Sequence, residues 1–315
     1  MNQQKQYISV LDIGSNSFHF ILAQIKNNAI SIIERERYVL RLSKFDISGV
    51  NIISIENFNN ALEIIKKIDL TSKSYNSKLI IVATSAVRES ENKEKFIEYI
   101  YSQTGHKINL LSGENEAELI FSGVLNSLND ISNKFICNID IGGGSTEIIL
   151  GNNEKIQNSV SLKIGAVRMS QQFFENYELT EQAINNCYEY LMTLLKANLS
   201  LNDFSFVEKF VGTSGTILTI LELLKKNSII TQEENSFSYN HFVIIKDRIL
   251  NAKTIEQRLA IPGVEVRRAD ILPAGVIILD SIFKSLKIKE LRVSTYSLRE
   301  GVVFAILNKS NKIFI

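Results

Sequence analysis

The chain has 315 residues, which suggests two domains at roughly 100–200 residues each. Its 35 Lys+Arg and 34 Asp+Glu leave a net charge of +1, which argues against a chain-wide basic footprint for nucleic acid or an anionic membrane but not against a local basic site. Hydrophobic residues at 45% exclude the disordered and fibrous classes; two cysteines, Cys137 and Cys187, exclude a disulfide scaffold and point to a reducing compartment; three histidines exclude a His-rich metal cluster.

The N-terminus, Met1-Asn2-Gln3-Gln4-Lys5-Gln6, is polar and lacks the apolar core of a signal peptide. The longest strongly apolar stretch, Ile271 to Phe283, contains Pro273 and Asp280 and is too short to span a bilayer. A soluble, cytoplasmic protein is therefore expected. The first element is an apolar strand from Ile8, followed by the loop Asp12-Ile13-Gly14-Ser15-Asn16-Ser17 and a second strand, Phe18 to Ala23. A turn at Asn27-Asn28, where Asn tolerates positive φ, leads into a β-rich stretch from Ala29 to Ile33. Helical spacing follows over Ile55–Ile68, then a buried strand over Lys78–Ala83, a helix over Asn92–Tyr101 and a strand over Lys107–Leu111. A helix over Asn115–Leu125 has acidic residues in its first turns, which suits the helix dipole.

The opening pattern then recurs. Phe135 to Ile139 is apolar, Asp140-Ile141-Gly142-Gly143-Gly144-Ser145 is the loop, and Thr146 to Leu150 is a second strand. A turn at Asn152-Asn153 and a β-rich stretch from Ile156 to Leu162 complete the match. The period is far too long for a solenoid, so the repeat predicts two similar domains. In each, the residues after the loop continue as a strand, unlike the Gly-rich loops of Walker or dinucleotide-binding motifs, which open a helix. Further on, a long helix is expected over Thr180–Ala197, a strand over Phe206–Gly212 and a helix over Thr216–Lys225. The chain then reads as helix over Ala269–Ser285, strand over Glu290–Ser294 and helix over Leu298–Leu307. Strands alternating with helices imply α/β layers.

Small residues let a phosphate approach the backbone N–H groups of such turns. A carboxylate repels phosphate, so Asp12 and Asp140 make sense beside a divalent cation that bridges to it; Mg²⁺, which takes few carboxylates and keeps waters, is the natural candidate. Read singly, each Asp serves as well to cap a tight turn; the duplication favours the functional reading. A third small-residue loop, Gly212-Thr213-Ser214-Gly215-Thr216, stands between a strand and a helix, where it could hold an anion or simply place an N-cap hydroxyl.

Six segments in order now become specific: Asp12 to Ser17; Ala83-Thr84-Ser85-Ala86-Val87-Arg88-Glu89; Ser112-Gly113-Glu114-Asn115-Glu116-Ala117; Asp140 to Glu147; Gly212 to Thr216; and Leu298-Arg299-Glu300-Gly301. Together they resemble the exopolyphosphatase/guanosine pentaphosphate phosphohydrolase family, within the superfamily of actin, sugar kinases and heat-shock chaperone ATPases. The resemblance implies an α/β fold of two ribonuclease-H-like (actin-like ATPase) domains, residues 1–122 and 123–297, with helix 298–315 packing back on the first and the active site in the interdomain cleft. It implies Mg²⁺-dependent hydrolysis of a terminal phosphoanhydride. By motif, Glu116 would be the general base, Arg88 a phosphate clamp, and Asp140 and Glu147 the main Mg²⁺ and water-positioning carboxylates, with Asp12 opposite. Ser15, Asn16, Ser17, Gly143, Gly144, Ser145, Thr146, Ser214, Gly215 and Thr216 would hold phosphate. Positioning and charge stabilisation suffice for such chemistry without a covalent nucleophile.

Departures from the family pattern fall at Asn115, where a second acid is usual, at Glu118, where Arg is frequent, and at Ser294-Thr295-Tyr296-Ser297, where an acid and glycine are frequent. They bear on substrate preference more than on fold. The chain resembles the short members, which lack the C-terminal helical region related to HD phosphohydrolases. Long polyphosphate would then be bound by the cleft, its basic rim or a homodimer. Arg35, Arg37 and Arg41 read either as part of a polyphosphate track or as a solvated strand edge. Arg267, Arg268 and Asp270 read as packing or salt-bridge residues, His19 as structural or cleft-lining, His106 and His241 as surface residues, and both cysteines as non-catalytic. The expected substrate is inorganic polyphosphate, with guanosine pentaphosphate as the rival; a kinase of the same superfold and a non-catalytic polyphosphate or nucleotide sensor are the other readings. No nucleic acid or membrane partner is expected.

Overall fold

A computed structural model describes residues 6–26, 29–42, 44, 51–128, 134–200 and 204–308. The expected turn at Asn27-Asn28 and residues 309–315 lie outside them. In chain order the elements are β1 (Gln6–Ile13), β2 (Ser17–Lys26), β3 (Ala29–Val39), α1 (Ile55–Ser74), β4 (Lys78–Ala83), α2 (Ser85–Arg88), α3 (Lys93–Thr104), β5 (Ile108–Leu110) and α4 (Gly113–Ser127). Then come β6 (Ile136–Ile141), β7 (Thr146–Gly151), β8 (Ile156–Leu162), α5 (Ala166–Phe173), α6 (Glu181–Asn198), β9 (Lys209–Thr213), α7 (Ser214–Lys226), β10 (Ser236–Ser238), α8 (Tyr239–Asn251), α9 (Ile255–Leu259), α10 (Leu272–Leu286), β11 (Glu290–Val293) and α11 (Leu298–Leu307). The chain divides into two compact units, Met1–Gly123 with Leu298–Ile315, and Val124–Ser297.

Each unit is an α/β layer structure around one sheet. The first sheet has the order β3-β2-β1-β4-β5 and the second β10-β11-β9-β6-β7-β8. In both, a three-stranded antiparallel meander is followed by a parallel strand added beside its first strand: β4 beside β1, and β9 beside β6. The sequence repeat is thus a repeat of topology. Parallel neighbours need a crossover connection, and helices supply it in each unit.

β6 is buried along its whole length, as a central strand covered on both faces should be. β3, at the sheet edge, alternates between exposed and half-buried positions as far as Glu36; it extends six residues beyond the expected Ile33, because Glu34 to Val39 continue to pair in register with Leu22 to Ser17 of β2. In the second unit, α10 is buried almost all round and serves as a core helix. It begins at Leu272, not at the expected Ala269: Pro273 suits the first turn, where no N–H is needed, and fixes the start. α2, α5, α8, α9 and β10 add to the sequence-based elements. α8 and α9 carry side-chain caps, Ser238 accepting from the His241 N–H and Thr254 forming a capping box with Gln257.

The turn at Asn152 works differently from the expected positive-φ turn. Neither Asn152 nor Asn153 has positive φ; the Asn152 side-chain oxygen accepts from the N–H groups of Glu154 and Lys155. Among the described residues no helix is long and apolar enough to cross a membrane.

Candidate functional site

The two hairpin loops share one geometry. The Gly14 N–H donates to the Ser17 carbonyl at 3.3 Å, and the Gly142 N–H to the Ser145 carbonyl at 3.0 Å. A Cβ on Gly14 or Gly142 would lie 3.0 or 3.2 Å from those same oxygens, so both turns are closed tightly on their small residues. In register, Asp12 stands opposite His19, and Asp140 opposite Glu147. Directly opposed residues share one face of the sheet, with Cβ atoms about 4.5–5.5 Å apart. The duplicated hairpins therefore differ chemically: the second carries a carboxylate pair where the first pairs Asp with His.

Asp140 is 5% exposed and Glu147 1%. One Asp140 carboxylate oxygen accepts from Thr213 Oγ1 at 2.8 Å and from Ser297 Oγ at 2.7 Å. Glu147 accepts from Ser161 Oγ at 2.7 Å. Burying two like charges side by side is costly unless a cation or a shared proton compensates. The donors here are all oxygen, which suits a hard dication. Among the described residues no group of three or more His, Cys, Asp or Glu side chains gathers to hold a metal. A carboxylate pair completed by water is the set Mg²⁺ commonly accepts.

The Gly142–Gly144 loop is braced from below. Its carbonyls receive the N–H groups of Ala166, Val167 and Arg168 at the start of α5, and the Arg168 Nε at 3.0 Å. With these carbonyls and the Gly142 N–H engaged, the loop would meet a ligand through its other N–H groups. Gly165 makes this packing feasible, because a Cβ there would lie 2.4 Å from Gly143. Thr146 is tied by its hydroxyl to the Ile164 carbonyl.

In the third loop, Thr213 precedes α7, yet its hydroxyl does not cap the helix. It accepts from Asn138 and donates to Asp140, joining this loop to the carboxylate. Ser214 adopts φ 72°, the left-handed region, which is unusual for a residue with a Cβ. The buried Arg268 lies so close to Gly215 that a Cβ there would meet its guanidinium at 2.1 Å. Thr216 packs against Gly275 of α10.

In the first unit, Arg88 ends α2 and Glu116 lies in the first turn of α4. Arg88 Nη1 donates to Glu116 Oε2 and to the Leu111 carbonyl, each at 2.8 Å. The expected clamp and the expected base are therefore ion-paired with each other. Glu116 is 5% exposed, and the Ser112 hydroxyl accepts from the Asn115 N–H beside it. Ser15 and Ser85, both buried, approach to 3.5 Å, bringing the first loop beside α2. Asn16 uses its carbonyl to accept the N–H groups of Leu40 and Arg41.

Two of the arginines read as a polyphosphate track are built into this unit. Arg35 pairs at 2.7 Å with the buried Glu300 of α11, and Arg37 donates to Ser17 Oγ, which is also 2.8 Å from His19 Nε2. Arg41 is exposed, with φ 51°. Arg267 pairs with Glu265, as a salt-bridge residue should. His106 is half-buried rather than at the surface, 2.8 Å from Asp69, because that carboxylate gives its imidazole a partner. His241 is likewise half-buried, on the first turn of α8. Both cysteines are buried, and burial pushes both thiols up, Cys187 to about 12, which leaves them unreactive.

Sequence reasoning missed Thr213, Ser297 and Ser161 as carboxylate partners and Gly165 and Arg168 as the loop's support. Thr213 and Ser297 stand inside or beside segments already singled out; Ser161, Gly165 and Arg168 carry no local signal.

The Ppx/GppA phosphatase family model matches residues 21–310. A guanosine-5'-triphosphate,3'-diphosphate pyrophosphatase of Pseudoalteromonas translucida is 29% identical over 98% of this chain and 60% of its own length. A bifunctional 3-dehydroquinate synthase/phosphatase of Fusobacterium nucleatum is 32% identical over 86% of this chain and 42% of its own. The chain thus spans less than two thirds of the length of both relatives. A putative exopolyphosphatase of Haemophilus influenzae is 27% identical over 95% of this chain and 91% of its own. Among solved structures, an exopolyphosphatase from Cytophaga hutchinsonii matches with a TM-score of 0.88 at 28% identity, covering 97% of this chain and 99% of that one. An Aquifex aeolicus Ppx/GppA member matches with a TM-score of 0.79 at 26% identity, over 98% and 99%. With the family model covering most of its length, the chain belongs to the Ppx/GppA phosphatase family.

Proposed function

We propose that the protein hydrolyses the terminal phosphoanhydride of inorganic polyphosphate in the cytoplasm, using Mg²⁺. The observation that supports this most is the opposed, buried pair Asp140 and Glu147 beside a glycine loop whose carbonyls are already engaged. In this reading Asp140 and Glu147 would hold Mg²⁺, with water completing its shell. When bound, the ion neutralises phosphate charge and polarises the phosphorus–oxygen bond. The N–H groups of the loops around Ser15, Asn16, Gly143, Gly144 and Gly215 and the hydroxyls of Ser17, Ser145, Thr146, Ser214 and Thr216 bind the terminal phosphate.

Glu116 takes a proton from water as the water oxygen attacks the terminal phosphorus; the bridging P–O bond breaks, and the shortened chain leaves with that oxygen's electron pair. Arg88 orients Glu116 through their ion pair and can offer its other guanidinium N–H groups to phosphate. A base so placed contributes about 10²–10⁴-fold.

The second reading is removal of the 5′ phosphate from guanosine pentaphosphate with the same groups, favoured by the name of the Pseudoalteromonas relative. Phosphate release from long-chain polyphosphate and from guanosine pentaphosphate, each with Mg²⁺, separates the two. Release from neither, with Glu116→Gln matching wild type, would overturn both.

A further inference from the structure

The second unit holds a cavity of about 640 Å³ away from the loops described above. Its lining includes Lys209, Lys287, Lys289 and Arg292 against Glu208 and Glu290, four cations to two carboxylates. Glu290 accepts a hydrogen bond from Ser236 Oγ at 2.6 Å and keeps its charge, so the lining carries a net positive charge of two. Lys209 opens β9, and Thr213, the partner of Asp140, closes it. Four residue steps at about 3.3 Å each put roughly 13 Å of strand between them. The cavity therefore lies at the start of the parallel strands and the carboxylate site at their end.

Two of its lysines stand on backbone that the core holds in place. Lys287 caps α10 with a left-handed backbone, its N–H donating to the Phe283 carbonyl, and Lys289 directly precedes β11. Between them Ile288 is buried in the core, so both exposed lysines flank a fixed point. The cavity is far larger than one phosphate needs, and its cations come from two strands, β9 and β11, and from the link before β11. That arrangement suits an anion carrying several charges in a row.

We propose that this cavity is a second anion site that binds an oligophosphate chain, borne either by an inorganic polymer or by a nucleotide. It is independent of the chemistry proposed for Asp140 and Glu116.

Calorimetric titration in EDTA, which keeps any Mg²⁺-dependent hydrolysis silent, tests it with two probes, inorganic tripolyphosphate and GTP. With the Mg²⁺-dependent site silenced as well, wild type should bind a probe at one site per chain. The double variant Lys287→Glu/Lys289→Glu, changed only at exposed positions, should bind it at least tenfold more weakly. A milder Lys287→Gln/Lys289→Gln variant guards against misfolding and should lose affinity to a smaller degree. Loss for tripolyphosphate alone assigns an inorganic chain, loss for GTP alone a nucleotide-borne one, and loss for both a site that reads phosphates only. Unchanged stoichiometry and affinity for both probes in the charge-reversed variant would overturn the site. Failure of the hydrolase reading would appear instead as absent phosphate release with Mg²⁺, with the binding contrast intact.

Discussion

Arg88 and Glu116 are joined by a 2.8 Å ion pair in which the same guanidinium nitrogen also holds the Leu111 carbonyl. The arginine is thus fixed at two points, and through it the carboxylate of α4 is fixed to α2. A Glu in the first helical turn would otherwise be a solvated side chain favoured by the dipole. The pair turns it into an oriented, buried group.

Glu116→Gln keeps the shape and removes the base. Phosphate release should fall by about 10²–10⁴-fold while substrate binding and thermal stability stay near wild type. Arg88→Ala should also lower release and in addition lower the melting temperature, because it leaves a buried carboxylate without its partner. Steady-state kinetics beside a thermal melt distinguishes the two; a Glu116→Gln protein with full activity would remove Glu116 from the mechanism.

The carboxylate pair Asp140 and Glu147 makes a prediction that needs no activity. Mg²⁺ at about 100 times its dissociation constant should stabilise wild type by about 2.7 kcal/mol. At about 2–4 °C per kcal/mol for a unit of this size, that is a rise of roughly 5–10 °C. Glu147→Gln relieves like-charge repulsion, so it should melt higher than wild type without Mg²⁺ and gain little when Mg²⁺ is added. An undiminished Mg²⁺ shift in the variant would place the ion elsewhere.

Two glycines owe their identity to close packing rather than to backbone freedom. A Cβ on Gly301 would lie 1.7 Å from the Leu119 carbonyl oxygen, and one on Gly165 would lie 2.4 Å from Gly143. Gly301→Ala should cost at least the 1–3 kcal/mol typical of overpacking, read as a lowered urea midpoint. Gly165→Ala should displace the phosphate loop and depress phosphate release. Gly105, with φ +72° and open space around it, is the contrast: its Ala variant should show only the strain of the left-handed region, about 1–2 kcal/mol.

Two carboxylate contacts set opposite limbs of the pH profile. Burial pushes Asp69 up, but its hydrogen bonds from Lys73 and His106 outweigh this and hold it below the usual value. A depressed carboxyl adds stability above its unfolded pKa of about 3.9, and that stability is lost as pH falls through the lower folded value. Asp69→Asn should therefore be less stable at neutral pH and show a flatter acid limb. Burial, reinforced by the charge and hydrogen bond of Asp280, pushes Tyr239 up to about 12. Its stability is complete below the unfolded pKa of about 10 and is lost as pH rises toward 12. Tyr239→Phe should flatten the alkaline limb in urea titrations from pH 9 to 11.5.

The repeat of two Asp-Ile-Gly hairpins was legible in the chain because strand alternation, tight-turn glycines and flanking apolar runs are all local patterns. From it follow the α/β class, two related sheets and the loops with their acids. The left-out elements had weaker local signals: α5 is short, and α8 opens on Tyr239-Asn240-His241-Phe242, a mixture with no strong helix former. What no local pattern could tell is which side chains meet across long separations. Thr213 and Ser297 reach Asp140, Arg35 reaches Glu300, and Gly165 lies beneath Gly143 only because parallel strand pairing and helix crossings bring distant segments together. The same holds for the basic cavity, whose four cations come from β9, β11 and the link before β11. The sequence by itself determined the elements, their duplication and the chemical types available, since these depend on neighbours along the chain. The tertiary structure decided the pairings, because hydrogen bonds and ion pairs depend on distances of about 3 Å that only the folded sheet order fixes.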